Sequence, residues 1–592
     1  MARKVRRTFL YVLVLVFFLA SVYRHPFCDF ISDELLLPSS VPLKAPQTNV
    51  AHQAIDENLT HQTTPHVTAA VSSVPTSSSI STVSILLQDW QVLVIVSPET
   101  PVTTDFDEFA CLFLNNDTSR ATPAGELSFP NRTLFKCELP VRIRRRLPLR
   151  QPILIKSTGT PPDRKTPAPE LLRWNYVVYD SLTTEDDVVL FVKGLNNRQG
   201  SGRDPKEFKC VFGDDPINGV RTAVTSSVQE VFRCQRPDLT AITPSGGERI
   251  KVSVELSGVN LMVPSVAYYT ISPSRKVANK DEKVNLCACT MVFNVAKFLK
   301  EWVVYHSKIG IDRFILYDNG SDDDLNEVIE ELIQEGYDMK TLFWFWPKTQ
   351  EAGFSHSAIY AKDSCMWMAY IDVDEFIYSP SWYKDSSPPS KSLLKSLLPM
   401  PRRYSDDHNE PSSSWSSSSS SSLSLPTLNP RVGQIRIGCH EFGPSDQKSN
   451  PKEGVMQGYN CRRKMENRHK SIVLLDAIDD SLLNLIHHFR LKEGYKTRKF
   501  NIHSMVVNHY KFQAWREFKA KFRRRVSAFV VDWTRQTNLK SNDRTPGLGY
   551  VQVEPRGWPR KFCEVYDNGL KELTRRWFGV ESPSGYSMVW QS

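Results

Sequence analysis

Three things are scarce in this sequence. Cysteine is one: 11 residues in 592, far below the roughly 8–10% of a disulfide-built scaffold. Excess charge is another. Lysine and arginine total 74 against 65 acids, a net +9. Spread over so long a chain, that is not the footprint of a nucleic-acid binder, and no nucleic-acid partner is expected. Long apolar runs are the third. One stretch near the start qualifies, which excludes a polytopic membrane protein. What remains is globular in composition, 40% hydrophobic and 23% charged. That suits two to four domains and excludes wholesale disorder.

The apolar run is Thr8–Tyr23, in which only Thr8 and Ser21 are neither apolar nor aromatic. As a helix it reaches roughly 24 Å, short for a span but adequate in a thin early-secretory or Golgi bilayer. Arg3, Lys4, Arg6 and Arg7 precede it and keep residues 1–7 cytosolic. A cleaved signal peptide is the alternative. Ala20-Ser21-Val22 is a poor cleavage site, so an uncleaved type II anchor over 8–23 is the expectation. Both readings place the rest of the chain in an oxidising compartment. Residues 24–89, rich in Ser, Thr, Pro and His, read as a disordered stem. Asn58, Asn116 and Asn131 each open a glycosylation sequon.

From Trp90 to Ile271 short β-branched and aromatic runs alternate with turn residues: Val92–Val96, Val188–Val192, Lys251–Leu256, Ser265–Ile271. An all-β, sandwich-like module over 90–271 is predicted. A weak repeat supports it. Glu108–Phe113 resembles Glu207–Phe212, and Leu134–Cys137 resembles Val231–Cys234. Pairing within each half, Cys111–Cys137 and Cys210–Cys234, is expected; crossed pairing between the halves is the alternative. The Arg142–Arg146 run reads as a solvated face.

A polar linker, 272–283, precedes the strongest signal. Val284–Val292, Arg313–Tyr317, Thr341–Trp346 and Met368–Ile371 read as buried strands. Helical patterns separate them: Val295 to Tyr305, Leu325 to Ile333, and about Ser355 to Cys365. That order, β-α-β-α-β-α-β, predicts an α/β domain over 284–577 with a largely parallel, Rossmann-like sheet. Eleven of the thirteen residues 412–424 are serine, and 385–430 reads as a disordered insertion. Residues 578–592 read as a C-terminal tail.

The chemistry concentrates at strand ends. Asp372 and Asp374 stand one residue apart after the fourth strand, where open α/β sheets bind ligands. Two hard oxygen ligands suit Mn²⁺ or Mg²⁺ against a diphosphate. The bland alternative is a solvated turn that caps a helix. Asp318 and Asn319 end the second strand in the same crevice; Asp322 and Asp323 read as caps of the next helix.

Residues 284–577 resemble the plant members of glycosyltransferase family 92, which include the pectic β-1,4-galactan synthases. The resemblance rests on Cys289–Val292, Phe314–Asp322, Trp346–His356, Asp372–Phe376, Glu441–Ser445, Arg468–Val473, Val507–Tyr510 and Phe518–Val526. It covers about half the chain. The β module also resembles the carbohydrate-binding-like module that precedes the catalytic domain in that family. The resemblance implies a GT-A fold, a UDP-sugar donor with Mn²⁺ or Mg²⁺, and inversion at the anomeric carbon. It implies that His509 joins Asp372 and Asp374 on the metal, and that Thr290, Asn294, Asp318 and Asn319 line the uridine pocket. Gln350 and His356 would reach donor phosphate or sugar. Lys470 or Arg468 would neutralise the leaving UDP, with His487 and His488 as further candidates. Two departures stand out. Phe293 takes the place of a family arginine, and His440 that of an asparagine.

The base that inversion requires is not identified by the sequence. Glu441 is the first candidate; Asp480, with Asp476 and Asp479, comes behind it. Lys519, Lys521 and Arg523–Arg525 would line a basic helix over 514–533, either attracting UDP or uronic acids or forming a solvated face. The expected activity is galactose transfer from UDP-galactose to pectic β-1,4-galactan by a Golgi type II membrane protein, with homo-oligomerisation left open. Another donor or acceptor (arabinopyranose, an N-glycan) is the first alternative. A non-catalytic glycan-binding protein is the second.

Overall fold

The computed structural model describes residues 80–591 apart from 103–108, 158–167, 197–201, 241–248, 272–282, 400–429, 521–546 and scattered single or paired positions. The expected anchor, nearly all of the stem and linker, the serine-rich stretch and the basic helix beyond Ala520 lie outside the described residues. Among those described, no helix is long and apolar enough to cross a membrane.

The β region is two sandwich-like halves. In the first, a five-stranded sheet that includes Gln91–Val96 and Arg132–Glu138 accompanies a three-stranded one that includes Phe109–Leu112. Val94, Phe109, Phe135 and Leu154 fill the core between them. In the second, a larger sheet holds Val188, Leu190, Phe208, Phe232 and Tyr269. Cys111 bonds to Cys137 and Cys210 to Cys234, so pairing stays within each half. Thr82–Leu86 is a strand of the first sheet, so ordered structure begins before Trp90, inside the segment expected to be stem.

The central sheet has nine strands: β1 (Val284–Val292), β2 (Arg313–Asp318), β3 (Asp338–Phe343), β4 (Cys365–Tyr370), β5 (Glu375–Tyr378), β6 (Arg431–Glu441), β7 (His469–Leu474), β8 (Tyr495–Lys499) and β9 (Val506–His509). Their spatial order is β3-β2-β1-β4-β7-β6-β9-β5, with β8 also beside β6. Helices α1 (Ala296–Ile309), α2 (Leu325–Gln334) and α3 (Gln350–Tyr360) make the first three crossovers. The first four strands are parallel. In the rest, β6 runs parallel to β8 and β9, and two strands depart from the expected largely parallel sheet: β7 runs antiparallel to both β4 and β6, and β5 antiparallel to β9. Helical crossovers cease after α3, and antiparallel neighbours need none.

Three further boundaries move. α3 starts at Gln350 rather than near Ser355. Residues 385–399 are part of the folded body, with Leu394 and Leu398 buried. The expected C-terminal tail instead follows a helix, Gly569–Phe578, with a hairpin and a 3₁₀ turn that bury Trp590 against Phe578.

The β halves do not hang from a linker. One apolar cluster runs through Trp174, Tyr179, Phe191 and Val231 of the β region into Tyr317, Trp344, Trp346, Phe354 and Tyr370. Trp174 and Trp346 stack at 5.7 Å, and Trp346 Nε1 donates to Asp180 Oδ2 at 2.7 Å. Cys287–Cys365 and Cys461–Cys563 are bonded. Cys289 and Cys439 are buried free thiols.

Candidate active site

The strand order changes direction at β1. From there the chain builds outward through β2 and β3, then returns to place β4 on the other side. Ligand crevices in open α/β sheets form at such a point, beyond the carboxyl ends of the strands. Asp318 ends β2, and residues 372–375 follow β4. The 372–375 turn is closed twice: Asp372 N–H donates to Glu375 Oε2 (2.9 Å) and Glu375 N–H to Asp372 O (3.0 Å).

Register then assembles the site. β5 pairs with β9 so that Glu375 lies opposite His509, and β6 pairs with β9 so that Glu441 flanks His509 on the other side. Asp374, Glu375 and His509 each offer a ligand atom, all within 4.8 Å of one another. His509 Nε2 is 3.7 Å from Asp374 Oδ1, and its Nδ1 is 3.4 Å from Glu375 Oε1. Burial lowers His509 to about 4, with Asp374 pulling the other way. A neutral imidazole beside two carboxylates is a donor set suited to a divalent cation.

Lys470, on β7, is the buried cation of the site. Its Nζ donates to Asp372 Oδ2 (2.7 Å) and to His487 Nε2 (2.7 Å), and lies 2.9 Å from Glu375 Oε1. Burial pushes Asp372 up, but Lys470 and then His487 outweigh it and hold the carboxyl well below its usual range. Lys470 is raised by the same two carboxylates despite its burial. Gln350 Nε2 reaches Asp372 Oδ1 at 3.4 Å.

The expected residues therefore divide. Asp374 and His509 come together as predicted partners, while Asp372 is turned to Lys470 and Gln350. Glu375 takes the place expected of Asp372, and the sequence reading missed it. Lys470 is committed to carboxylates rather than open to a leaving group. Gln350 does touch the site. Asp318 Oδ1 accepts from Ser321 N (3.0 Å) and Oγ (2.7 Å). Asn294 accepts from Asp322 N (2.9 Å) and so braces the β2–α2 loop. Thr290 is fully buried, its hydroxyl without a hydrogen-bond partner.

Five expectations are corrected. Asn319 donates to the carbonyls of Trp344 and Trp346 (2.5 and 3.3 Å) and is structural. His356 is buried and bonded to the Tyr317 hydroxyl at 2.7 Å, packed against Phe191 and Trp344. Burial lowers it to about 3, so it is a neutral core histidine. Glu441 is fully buried between Lys511 (2.5 Å) and Arg463 (3.4 Å). Burial raises its carboxyl, Lys511 overrides that, and the result lies below the usual value; a paired, buried anion does not suit a base that must take a proton from an arriving sugar. Asp480 has an 80% exposed side chain, paired with Lys492 at 3.4 Å. It makes no described contact with the cluster. Asp323 caps a helix, but through space: its Oδ2 accepts from Ala296 N–H at the start of α1 (2.9 Å), not from α2.

A family model described as glycosyltransferase family 92 matches residues 282–542. A glycosyltransferase family 92 protein of Oryza sativa subsp. japonica is 37% identical over 80% of this chain and 76% of its own length. One of Arabidopsis thaliana is 42% identical over 71% of this chain and 69% of its own length. Likeness to solved structures is slight. A mannosyltransferase of Pyrobaculum calidifontis covers 44% of this chain and 68% of its own at 8% identity and TM-score 0.21.

Proposed function

The chain belongs to glycosyltransferase family 92 and is a glycosyltransferase, and from that premise we propose that it transfers galactose, with inversion, from UDP-galactose to β-1,4-galactan side chains of pectin. The observation that carries a nucleotide-sugar site is the Asp374–Glu375–His509 cluster at the sheet's switch point. The donor sugar and acceptor rest on the resemblance to galactan synthases. The Thr8–Tyr23 run supports a type II Golgi anchor with this site in the lumen.

The residues present fit a divalent metal. His509 Nδ1 is buried without a hydrogen-bond partner among the described residues, and one neutral imidazole with two carboxylates matches the preferences of Mn²⁺ or Mg²⁺. Asp374, Glu375 and His509 would hold the ion, and its charge would serve the sugar diphosphate. Lys470 keeps Asp372 and Glu375 neutralised in place, and Gln350 orients Asp372. The test is a donor screen with residues 77–592 on galacto-oligosaccharides in Mn²⁺. UDP-galactose should turn over and EDTA should abolish the turnover. Turnover of a different donor alone overturns the galactose assignment, and turnover that survives chelation overturns the metal.

A further inference from the structure

One turn of the second β half bonds directly to the elements around the site. Gln229 and Glu230 join the strands Val220–Val228 and Val231–Gln235. Gln229 is 4% exposed and has a left-handed backbone, φ 54°, a conformation that costs energy for a residue other than glycine or asparagine. Its amide bridges one residue of the central body. Nε2 donates to Asn484 O at 2.8 Å, and Asn484 N–H donates to Oε1 at 3.2 Å. A side chain thus imitates one rung of a β ladder.

Asn484 passes the constraint in two directions. Its side chain donates to Glu351 O and Ser355 Oγ, both at 2.9 Å, which fixes α3 just beyond Gln350. Its backbone pairs with Phe489 in a small hairpin whose tip carries His487. His487 has φ 72°, accepts from Lys470, and gives its carbonyl to the Ser471 hydroxyl. The neighbouring Glu230 pairs with Lys193, whose Nζ also donates to Lys348 O, two residues before α3, at 3.3 Å. Both residues of the turn therefore brace elements that end on Asp372: α3 through Gln350, and the 484–489 hairpin through His487 and Lys470.

We propose that Gln229, in the β region, is a positioning residue of the active site, setting the Lys470–Asp372 pair through Asn484. This rests on the reading of that pair as part of the donor site. It makes the β region a component of donor binding rather than an acceptor-binding appendage.

The test compares full-length wild type with Gln229→Leu and Gln229→Asn. Leucine keeps the bulk and loses both hydrogen bonds. Asparagine tolerates the left-handed turn but is one methylene too short to bridge. Both variants should raise the KM for UDP-galactose about tenfold with kcat and acceptor KM within about threefold. Hydrogen exchange, which needs no substrate, should quicken at 482–489 and 348–356 in both. Faster exchange with an unchanged donor KM overturns the proposal, because the bridge is then only structural. Unchanged exchange overturns it whatever the kinetics. A wild type that turns over no UDP-galactose defeats the donor reading, and the exchange comparison still decides whether Gln229 holds these elements.

Discussion

Lys470 shows how much a single side chain can hold. It is 7% exposed and stands between Asp372 and Glu375, the latter wholly buried. Removing one partner of a buried ion cluster leaves uncompensated charge, which costs about 3–5 kcal/mol. Lys470→Met should lower unfolding stability by that amount in urea titrations, and adding Glu375→Gln should restore a good part of it. No recovery in the double variant would show that Glu375 is not the charge left stranded. Asp374→Ala removes a proposed metal ligand. Turnover should fall about a thousandfold or more while circular dichroism holds; retained turnover would exclude Asp374 from the chemistry. Asp372 and Asp374 were legible because a strand followed by Asp-x-Asp is a local pattern. Glu375 was not, although it is the next residue. What puts it in the site is the pairing of β5 with β9, set more than a hundred residues apart, and no local spacing reports that. Glu441 misled for the same reason: its neutralising partners, Arg463 and Lys511, arrive from distant loops.

Among elements, α1 carries a buried acid with a measurable consequence. Glu301 is buried on it, and its carboxylate accepts the N–H groups of Val455 (2.8 Å) and Met456 (2.9 Å) at the start of the short helix Val455–Gly458. Gly454 is needed there: it has φ 101°, and a Cβ would meet the Glu301 carboxylate at 2.5 Å. Burial raises Glu301 from an ordinary 4.5 to about 8, with the two N–H groups opposing. Between those values the folded state keeps a proton that the unfolded state has released. Stability from this group is therefore complete below about pH 4.5 and is lost as pH rises toward 8. Relative to Glu301→Gln, wild type should lose about 2–4 kcal/mol between pH 5 and pH 8 in denaturant titrations; parallel curves for the two proteins would refute the shift. The helical period made α1 and α2 readable, and buried apolar runs made β1, β2 and β4 readable. The second half of the sheet was opaque because its strands are separated by the insertion and by irregular loops. An antiparallel edge leaves no crossover helix as a marker.

At the scale of the whole molecule, the β region was legible as strands and disulfides but not as a partner of the catalytic body. Repeated cysteine-bearing runs announce two sandwich halves; nothing local announces that Trp174, Tyr179 and Phe191 pack on Trp344, Trp346 and Phe354. If the region were an appendage, deleting it would impair polymer elongation and spare single-sugar transfer. The packing predicts otherwise. Aromatic side chains bury about 150–250 Å² each, so stripping the β region bares an apolar face beyond the few hundred Å² that soluble monomers tolerate. It also leaves Trp346 Nε1 without Asp180, Lys348 O without Lys193, and Asn484 without Gln229. A fragment spanning 283–592 should aggregate or bind a hydrophobic dye strongly on size-exclusion fractions, and should lack activity toward single-sugar and polymeric acceptors alike. A monomeric fragment with wild-type kcat on short acceptors would show that the two parts are merely adjacent. The buried indole–carboxylate contact allows a finer version of the test. Asp180→Ala keeps the whole chain but leaves the Trp346 indole N–H unpaired inside the seam, at a cost of about 1–3 kcal/mol. Calorimetry should still record one transition, at a lower temperature, if the β region and the sheet unfold as a single unit; two separated transitions would mean that the seam does not couple them.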